Sequence, residues 1–279
     1  MCDGGCLSEV VSLQRAVGEL RVSAKRFGSE TVLDELRQTG CLKARFPRRV
    51  VPGWMDIVTL NTGGGVAGGD WLDFSFVAGA GASVVVAAQA AERFYRALAA
   101  DAPSRVRVRL TVEAGGCLEW LPQETILFDR SALDRRLDVD LAVDARFLGV
   151  ETLVFGRTAM GESVRLGWLR DLIRVRRGGA LLLHDAIRLD GEIDAKLGRS
   201  AVAAGAKSAA TMVYVAPDAS EKLEAVRAAL AANEAGASVW NQMLVARIIG
   251  ADSASVRRGV TAVLEVLRDG RPLPRVWLC

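Results

Sequence analysis

Between residues 105 and 144 two runs keep strict period-two alternation, and that regularity confines them to β-structure. Val106, Val108, Leu110 and Val112 alternate with Arg105, Arg107 and Arg109, while Leu137, Val139, Leu141 and Val143 alternate with Asp138, Asp140 and Asp144. Successive side chains on a strand point to opposite faces, so each run carries one apolar row and one charged row. The two charged rows have opposite sign, and cross-strand pairs of that kind contribute roughly 0.2–1 kcal/mol each. The two strands are therefore expected near each other in one sheet. From about Leu20 to Leu189 nearly every segment reads as strand, separated by turns containing Gly, Pro or Asp. The run Ala82-Ser83-Val84-Val85-Val86-Ala87-Ala88 is apolar on both faces, as for a strand covered on each side, which implies stacked sheets.

The connection Leu60-Asn61-Thr62-Gly63-Gly64-Gly65-Val66-Ala67-Gly68-Gly69-Asp70 packs five glycines between two such strands. Gly63, Gly65 and Gly68 satisfy the G-x-G-x-x-G spacing of dinucleotide folds, but that mechanism needs a helix to start at the third glycine. Here Leu72, Phe74 and Phe76 alternate with Asp73 and Ser75, a strand pattern, so no helix dipole faces a phosphate. No Gly-Lys-Ser/Thr follows either, which removes a Walker loop. The segment reads as a tight connection with residues at positive φ, or as backbone closely approached by another segment.

The pattern changes after about Ala209. A strand at Thr211–Val215 leads through Pro217 into Asp218-Ala219-Ser220-Glu221, a capping-box arrangement, with Leu223, Val226 and Leu230 on one helical face. A strand is expected over roughly Ala237–Ile249. Ser253 then caps a second helix whose Val256, Val260, Val263, Leu264 and Leu267 share a face, ending before Gly270. Residues 209–279 thus read as strand-helix-strand-helix, after a strand-rich stretch from 18 to 208. Residues 1–17 read as a flexible N-terminal segment. The apolar end Trp277-Leu278-Cys279 is expected in the core or in an interface.

With 51% hydrophobic and 25% charged residues the chain is globular, and a net charge of +3 makes no case for nucleic acid. Five cysteines at positions 2, 6, 41, 117 and 279 form no Cys-x-x-Cys pair, which suits a reduced cytoplasmic protein, and Cys2 and Cys6 read as part of a frayed tail. No apolar run reaches the roughly 18 residues of a membrane span. The single histidine, His184, lies in an apolar strand and reads as a structural imidazole; its solitude excludes His-rich zinc sites. Carboxylates recur beside strands at Asp70, Glu119, Glu124, Glu151, Glu162 and Asp185. A glycosidase-like pair or oxygen coordination of a divalent ion is chemically open, but spacing selects no pair. Trp120-Leu121-Pro122-Gln123-Glu124-Thr125-Ile126 reads as a turn, with Pro122 breaking strand pairing.

Three ordered blocks carry a resemblance: Asn61–Asp70, then Gln89-Ala90-Ala91-Glu92-Arg93-Phe94-Tyr95-Arg96, then Leu118-Glu119-Trp120-Leu121-Pro122-Gln123-Glu124. Phe155-Gly156-Arg157 with Ala159-Met160-Gly161-Glu162, the Arg188-Leu189-Asp190-Gly191 strand end, and Leu273-Pro274-Arg275-Val276-Trp277 follow in the same order. Together they resemble the UreD (UreH) urease accessory proteins over about residues 18–279, read as a single domain. The resemblance implies a mainly β fold of stacked sheets in a helical or solenoid-like arrangement with two C-terminal helices. It also implies a non-enzymatic maturation chaperone that binds urease apoprotein subunits and joins UreF and, through UreF, the GTPase UreG. No cofactor is expected to be tightly bound; nickel would be in transit through an internal channel. Nickel accepts oxygen ligands, and a transit path must hold it weakly enough to release it. Matched residue by residue, Asp70 closes the Gly-Gly-Asp motif, Glu151 follows Phe147-Leu148, Glu162 ends the Met-Gly-Glu block and Asp185 follows the Leu-rich strand. These four are the candidate nickel path. Some relatives carry a second acid after Gly-Gly-Asp, where this chain has Trp71. From the residues alone, the alternative is a carbohydrate-active enzyme on a β scaffold using two of the carboxylates.

Overall fold

The computed structural model describes residues 14–98, 100–157 and 161–278. In chain order the strands are β1 (Val17–Phe27), β2 (Glu30–Gly40), β3 (Leu42–Arg45), β4 (Trp54–Asn61), β5 (Trp71–Ala78), β6 (Ser83–Ala88), β7 (Glu92–Phe94), β8 (Ser104–Val112) and β9 (Cys117–Leu121). They continue as β10 (Thr125–Leu127), β11 (Ala132–Leu141), β12 (Arg146–Phe155), β13 (Leu166–Arg177), β14 (Ala180–Glu192), β15 (Ser208–Val215), β16 (Glu234–Trp240) and β17 (Met243–Gly250). The helices are α1 (Ile193–Leu197), α2 (Ala219–Ala229) and α3 (Ser253–Leu267).

Two sheets stack. The seven-stranded sheet has the order β14-β13-β11-β8-β5-β1-β2, and the ten-stranded sheet runs β16-β17-β15-β12-β9-β6-β4-β3, with β7 and β10 joined beside β12. Apart from those two short strands, the chain changes sheet at each step from β4 to β13, and neighbours laid down in this way are parallel. A parallel pair needs a crossover, and here a strand of the opposite sheet supplies it in place of a helix. Antiparallel pairs close the ends, as in β13–β14 and β15–β17.

The opposed charged rows behave as the alternation predicts. β8 and β11 are adjacent and parallel, with Asp134 beside Arg105 and Asp138 beside Arg109. Arg107 reaches Asp134 at 2.6 Å, while Asp138 turns to Arg174 of β13 at 2.6 Å. β6 is covered on both sides: Val84 and Val86 enter the core between the sheets, and Val85 enters a second core. That second core is formed by the other face of the ten-stranded sheet and the C-terminal helices, so the molecule has three layers.

Several local expectations are corrected. The strand expected over 237–249 is two strands, because Asn241 and Gln242 take φ of 48° and 58° and close a two-residue hairpin between β16 and β17. The C-terminal unit is therefore strand-helix-hairpin-helix, and the short α1 precedes it. Helix α3 does present Val256, Val260, Val263, Leu264 and Leu267 as one buried stripe, but its N-cap is Asp252, whose Oδ1 accepts the Ser255 N–H at 2.7 Å, in place of Ser253. The capping box at Asp218 does not close: the residue takes φ of −87° and ψ of 8° and makes no side-chain cap bond, and its carboxylate instead accepts the Tyr214 hydroxyl at 2.9 Å. His184 is exposed on edge strand β14, in register with Arg174, and is not enclosed in the core. Trp277 is buried, with Nε1 donating to the Leu121 carbonyl at 3.0 Å, while Leu278 is exposed. The readings of Cys2, Cys6 and Cys279 lie outside the described residues, as do Ala159 and Met160. Among the described residues no helix is long and apolar enough to cross a membrane.

Candidate functional site

The glycine connection is built by close approach. Gly64, Gly65 and Gly69 have φ of 74°, 138° and 82°, a region that side chains strain to enter. A Cβ on Gly65 would stand 2.3 Å from Tyr95 Cε2, and the Tyr95 hydroxyl donates to the Gly64 carbonyl at 2.9 Å. Val66 and Phe94 form a parallel bridge, so the connection is laid against the segment that follows Gln89. Asp70 holds the other end. Its Oδ1 accepts the Ala16 N–H at 2.8 Å and its Oδ2 the Ala67 N–H at 2.7 Å, which occupies both carboxylate oxygens in a buried turn.

Behind this wall lies a cavity of about 140 Å³ between the sheets. All three ordered blocks reach it: Asn61 and Gly65 from the first, Glu92 from the second, and Trp120 and Gln123 from the third. Asn61 Nδ2 donates to Glu92 Oε2 at 3.1 Å across one side. Burial pushes the Glu92 carboxyl upward, an effect that the Asn61 bond opposes without cancelling.

Arg135 and Glu151 also line this cavity. Arg135 is 5% exposed and comes from β11; its Nε and Nη2 hold both oxygens of Asp171 on β13 at 2.8 and 2.6 Å. Its Nη1 reaches across to the other sheet, donating to Glu151 Oε2 at 2.5 Å and Thr125 Oγ1 at 2.8 Å. Trp120 Nε1 supplies the remaining bond to Glu151 Oε1 at 2.8 Å. Burial works against the charge on Arg135, but Asp171 and Glu151 outweigh it and raise its pKa. Burial likewise raises Glu151, with Arg135 as the main opposing influence. One guanidinium thus faces two buried carboxylates, an arrangement that is stable only while every partner is present.

Glu151 is also a wall of a second, smaller cavity of about 10 Å³, with Asp171 and Asp185. Asp185 is bound by Arg247 at 2.6 Å, and its side chain is 10% exposed. Carboxylates therefore succeed one another from Glu92 through Glu151 and Asp171 to Asp185. Of the four sequence candidates, Glu151 and Asp185 share a cavity wall. Asp70 lines neither cavity, and Glu162 sits outside, paired to Arg157 at 2.6 Å beside an open depression with Tyr95 and Phe128. Sequence reasoning missed Glu92, Arg135 and Asp171. For the last two a signal existed: both occupy the apolar phase of their strands, in Leu133-x-Arg135-x-Leu137 and Leu169-x-Asp171-x-Ile173. Among the described residues no group of three or more His, Cys, Asp or Glu side chains is disposed as a metal cage.

A second buried ion cluster lies between the ten-stranded sheet and the helical layer. Glu119 accepts from Arg268 Nε at 2.8 Å and from Arg271, and both Glu119 and Arg268 are buried.

Comparison with known proteins places these blocks. The family model described as UreD urease accessory protein matches residues 16–278. A protein named urease accessory protein UreD from Xanthobacter autotrophicus is 48% identical over 268 residues, covering 95% of this chain and 90% of its own length. Proteins of the same name from Azorhizobium caulinodans and Rhizobium etli are 45% and 44% identical, each over 95% of this chain and 97% and 96% of their own lengths. A match of this extent, over a chain whose ordered blocks enclose one cavity, shows that it belongs to the UreD family of urease accessory proteins, which are not enzymes.

Proposed function

We propose that this protein acts in the maturation of urease as a non-catalytic, cytoplasmic chaperone. In this reading it binds urease apoprotein subunits and UreF, reaches UreG through UreF, and lets nickel pass through its interior toward the urease active site. It holds no cofactor tightly. The observation that carries the reading is the convergence of the three ordered blocks on one cavity, whose floor continues as a file of carboxylates to Asp185.

The chemistry of that file suits passage. Each carboxylate is already engaged by an arginine, an amide or an indole N–H, so an entering divalent cation must compete with existing partners and is held weakly. Arg135 stands between the two cavities as a resident positive charge, and its displacement from Glu151 and Asp171 would open oxygen ligands to nickel. Glu92, Glu151, Asp171 and Asp185 form the path in this account. Asp70 fixes the glycine wall beside it, and Glu162 flanks its outer side.

The test is to co-produce urease and its accessory proteins with Asp185→Asn or Glu92→Gln chains and measure nickel per urease subunit. Nickel content is expected to fall severalfold while capture of UreF and urease by the chain stays unchanged. Unchanged nickel loading in both variants would remove the internal path, and loss of capture together with nickel would return both residues to a structural role.

A further inference from the structure

The open depression outside the glycine wall, of about 490 Å³, gathers positive charge in excess of its acids. Arg96, Arg130 and Arg165 line it, and all three are exposed. They come from three segments tied by backbone contacts. Arg96 bridges Ser131, the Ala97 N–H donates to the Arg130 carbonyl at 2.9 Å, and the Arg130 N–H donates to the Leu166 carbonyl at 2.8 Å. Main-chain geometry therefore holds the three like charges together.

The two acids of the depression are already engaged. Asp129 Oδ1 accepts the Leu166 N–H at 3.0 Å, and its other oxygen lies 3.9 Å from Arg130. Glu162 is held at 2.6 Å by Arg157, whose guanidinium also sits 4.5 Å from the Phe128 ring centroid. Arg96 and Arg165 form no side-chain hydrogen bond or ion pair among the described residues. An adjoining hollow carries Glu192 and Asp194 beside Arg130 and Arg165, with Asp194 held by Lys207, so the surplus centres on Arg96, which that hollow does not include. Arg130 also takes φ of 63°, a conformation that strains a long side chain and that glycine adopts freely. Backbone strain of this kind gathers at ligand clamps. Beside the arginines, Tyr95 is 37% exposed, meets the Phe128 ring edge-on at 5.2 Å and is fixed by its bond to the Gly64 carbonyl. Tyrosine and arginine presented together on a preformed surface are the residues enriched at protein interfaces.

We propose that this depression docks an acidic, extended segment of a partner protein, its carboxylates on Arg96, Arg130 and Arg165 and an apolar side chain against Tyr95. Charge complementarity selects the occupant. An unbroken row of phosphates would be repelled by Asp129 and Glu162, whereas a polypeptide can alternate acids with neutral residues. The site rests on surface charge and does not depend on the nickel reading.

Fluorescence anisotropy of the full chain with a labelled Glu-Asp-Leu-Glu-Asp peptide, and with its Gln-Asn-Leu-Gln-Asn counterpart, tests the assignment. At low salt the acidic peptide is expected to bind at least about tenfold tighter, as two or more exposed ion pairs allow, and the difference should shrink once salt brings the Debye length to about 3 Å. The double variant Arg96→Ser with Arg165→Ser alters exposed side chains without partners, so it should erase the preference at an unchanged melting temperature. Arg130→Gly should weaken the acidic peptide severalfold without destabilising the fold, because the positive φ costs glycine nothing. Equal binding of the two peptides, retention of the preference by the double variant, tighter binding of a thymidine oligonucleotide of equal charge than of the acidic peptide, or no binding at low salt overturns the proposal.

Discussion

Arg135 Nη1 lies 2.5 Å from Glu151 Oε2, and this bond ties the seven-stranded sheet to the ten-stranded one through the middle of the interior. The same guanidinium neutralises Asp171, so its removal strands two buried carboxylates at once. Arg135→Met is expected to cost about 3–5 kcal/mol, the range for breaking a buried pair on one side. Replacing all three together by groups that leave no orphan, as Arg135→Met with Asp171→Leu and Glu151→Gln, which keeps an acceptor for Trp120 Nε1, should recover part of that loss, because no charge is left without a partner. Urea denaturation midpoints for the single and triple variants decide it; a shift under about 1 kcal/mol for Arg135→Met would mean that water reaches the cluster freely.

Glu92 carries the opposite liability. Its carboxyl is pushed up by burial, so the fold favours the neutral form. With the folded value above the unfolded one, the favourable contribution is complete below the unfolded pKa and disappears as pH rises through the folded value. Glu92→Gln should therefore be more stable than the parent at neutral pH, with the gap closing in acid below the ordinary value of 4.5. Melting temperatures at the two pH values check the sign. The same variant is the one expected to lower nickel loading, so a gain in stability would accompany a loss of function.

The strand-rich body and the β8–β11 charge ladder were legible because period two survives on any half-buried strand, whatever its partner. The parallel pairing was not, since alternation says which face is buried and nothing about strand direction. The hairpin at Asn241–Gln242 escaped notice because its turn lacks the glycine that usually marks positive φ. His184 misled for another reason: its strand lies at the sheet edge with a register shift near Val175 and Arg176, so apolar residues such as Leu181 face outward beside it. In the candidate site, Glu151 and Asp185 were identified through the family likeness. The residues that make them a unit, Arg135 and Asp171, lie on other strands and come together only through register. A charged residue in an apolar phase was the one local clue.

Asp70 is expected to act on stability before anything else. Both oxygens accept backbone N–H groups, from Ala16 and Ala67, in a buried turn. Asp70→Ala leaves those donors unpaired, at a cost of about 1–3 kcal/mol each at most, while Asp70→Asn keeps one acceptor and should lose less. Equal denaturation midpoints for the parent and both variants would show that water replaces the carboxylate and would return Asp70 to the candidate nickel path.

Neighbouring glycines in the same loop separate two costs. Gly64 has open space around a would-be Cβ, so Gly64→Ala is expected to lose only the strain of a positive φ, about 1–2 kcal/mol. Gly65→Ala carries backbone strain and a collision with Tyr95 and the Arg93 carbonyl, so it should be clearly the worse of the two. Comparable loss in both variants would indicate that the Tyr95 ring moves aside freely.

The hairpin turn offers a test of backbone against side chain. Gln242 holds φ of 58°, a conformation glycine adopts without penalty, so Gln242→Gly should stabilise the turn by about 1 kcal/mol from the backbone alone. The substitution also deletes the bond from Arg177 Nη1 to Gln242 Oε1 at 3.0 Å, which links the turn to β13 of the other sheet. That exposed bond is worth about 0.5–1.5 kcal/mol, enough to mask the backbone gain. In an Arg177→Ala background the bond is already absent, and the full stabilisation should appear there. A double-mutant cycle over Arg177 and Gln242 measures the difference, and it must show a larger benefit of glycine without the arginine than with it. The same benefit in both backgrounds would mean that the bond from Arg177 to the Gln242 side chain contributes nothing; the second bond, from Arg177 Nη2 to the Asn241 carbonyl at 3.0 Å, survives Gln242→Gly and lies outside what the cycle measures.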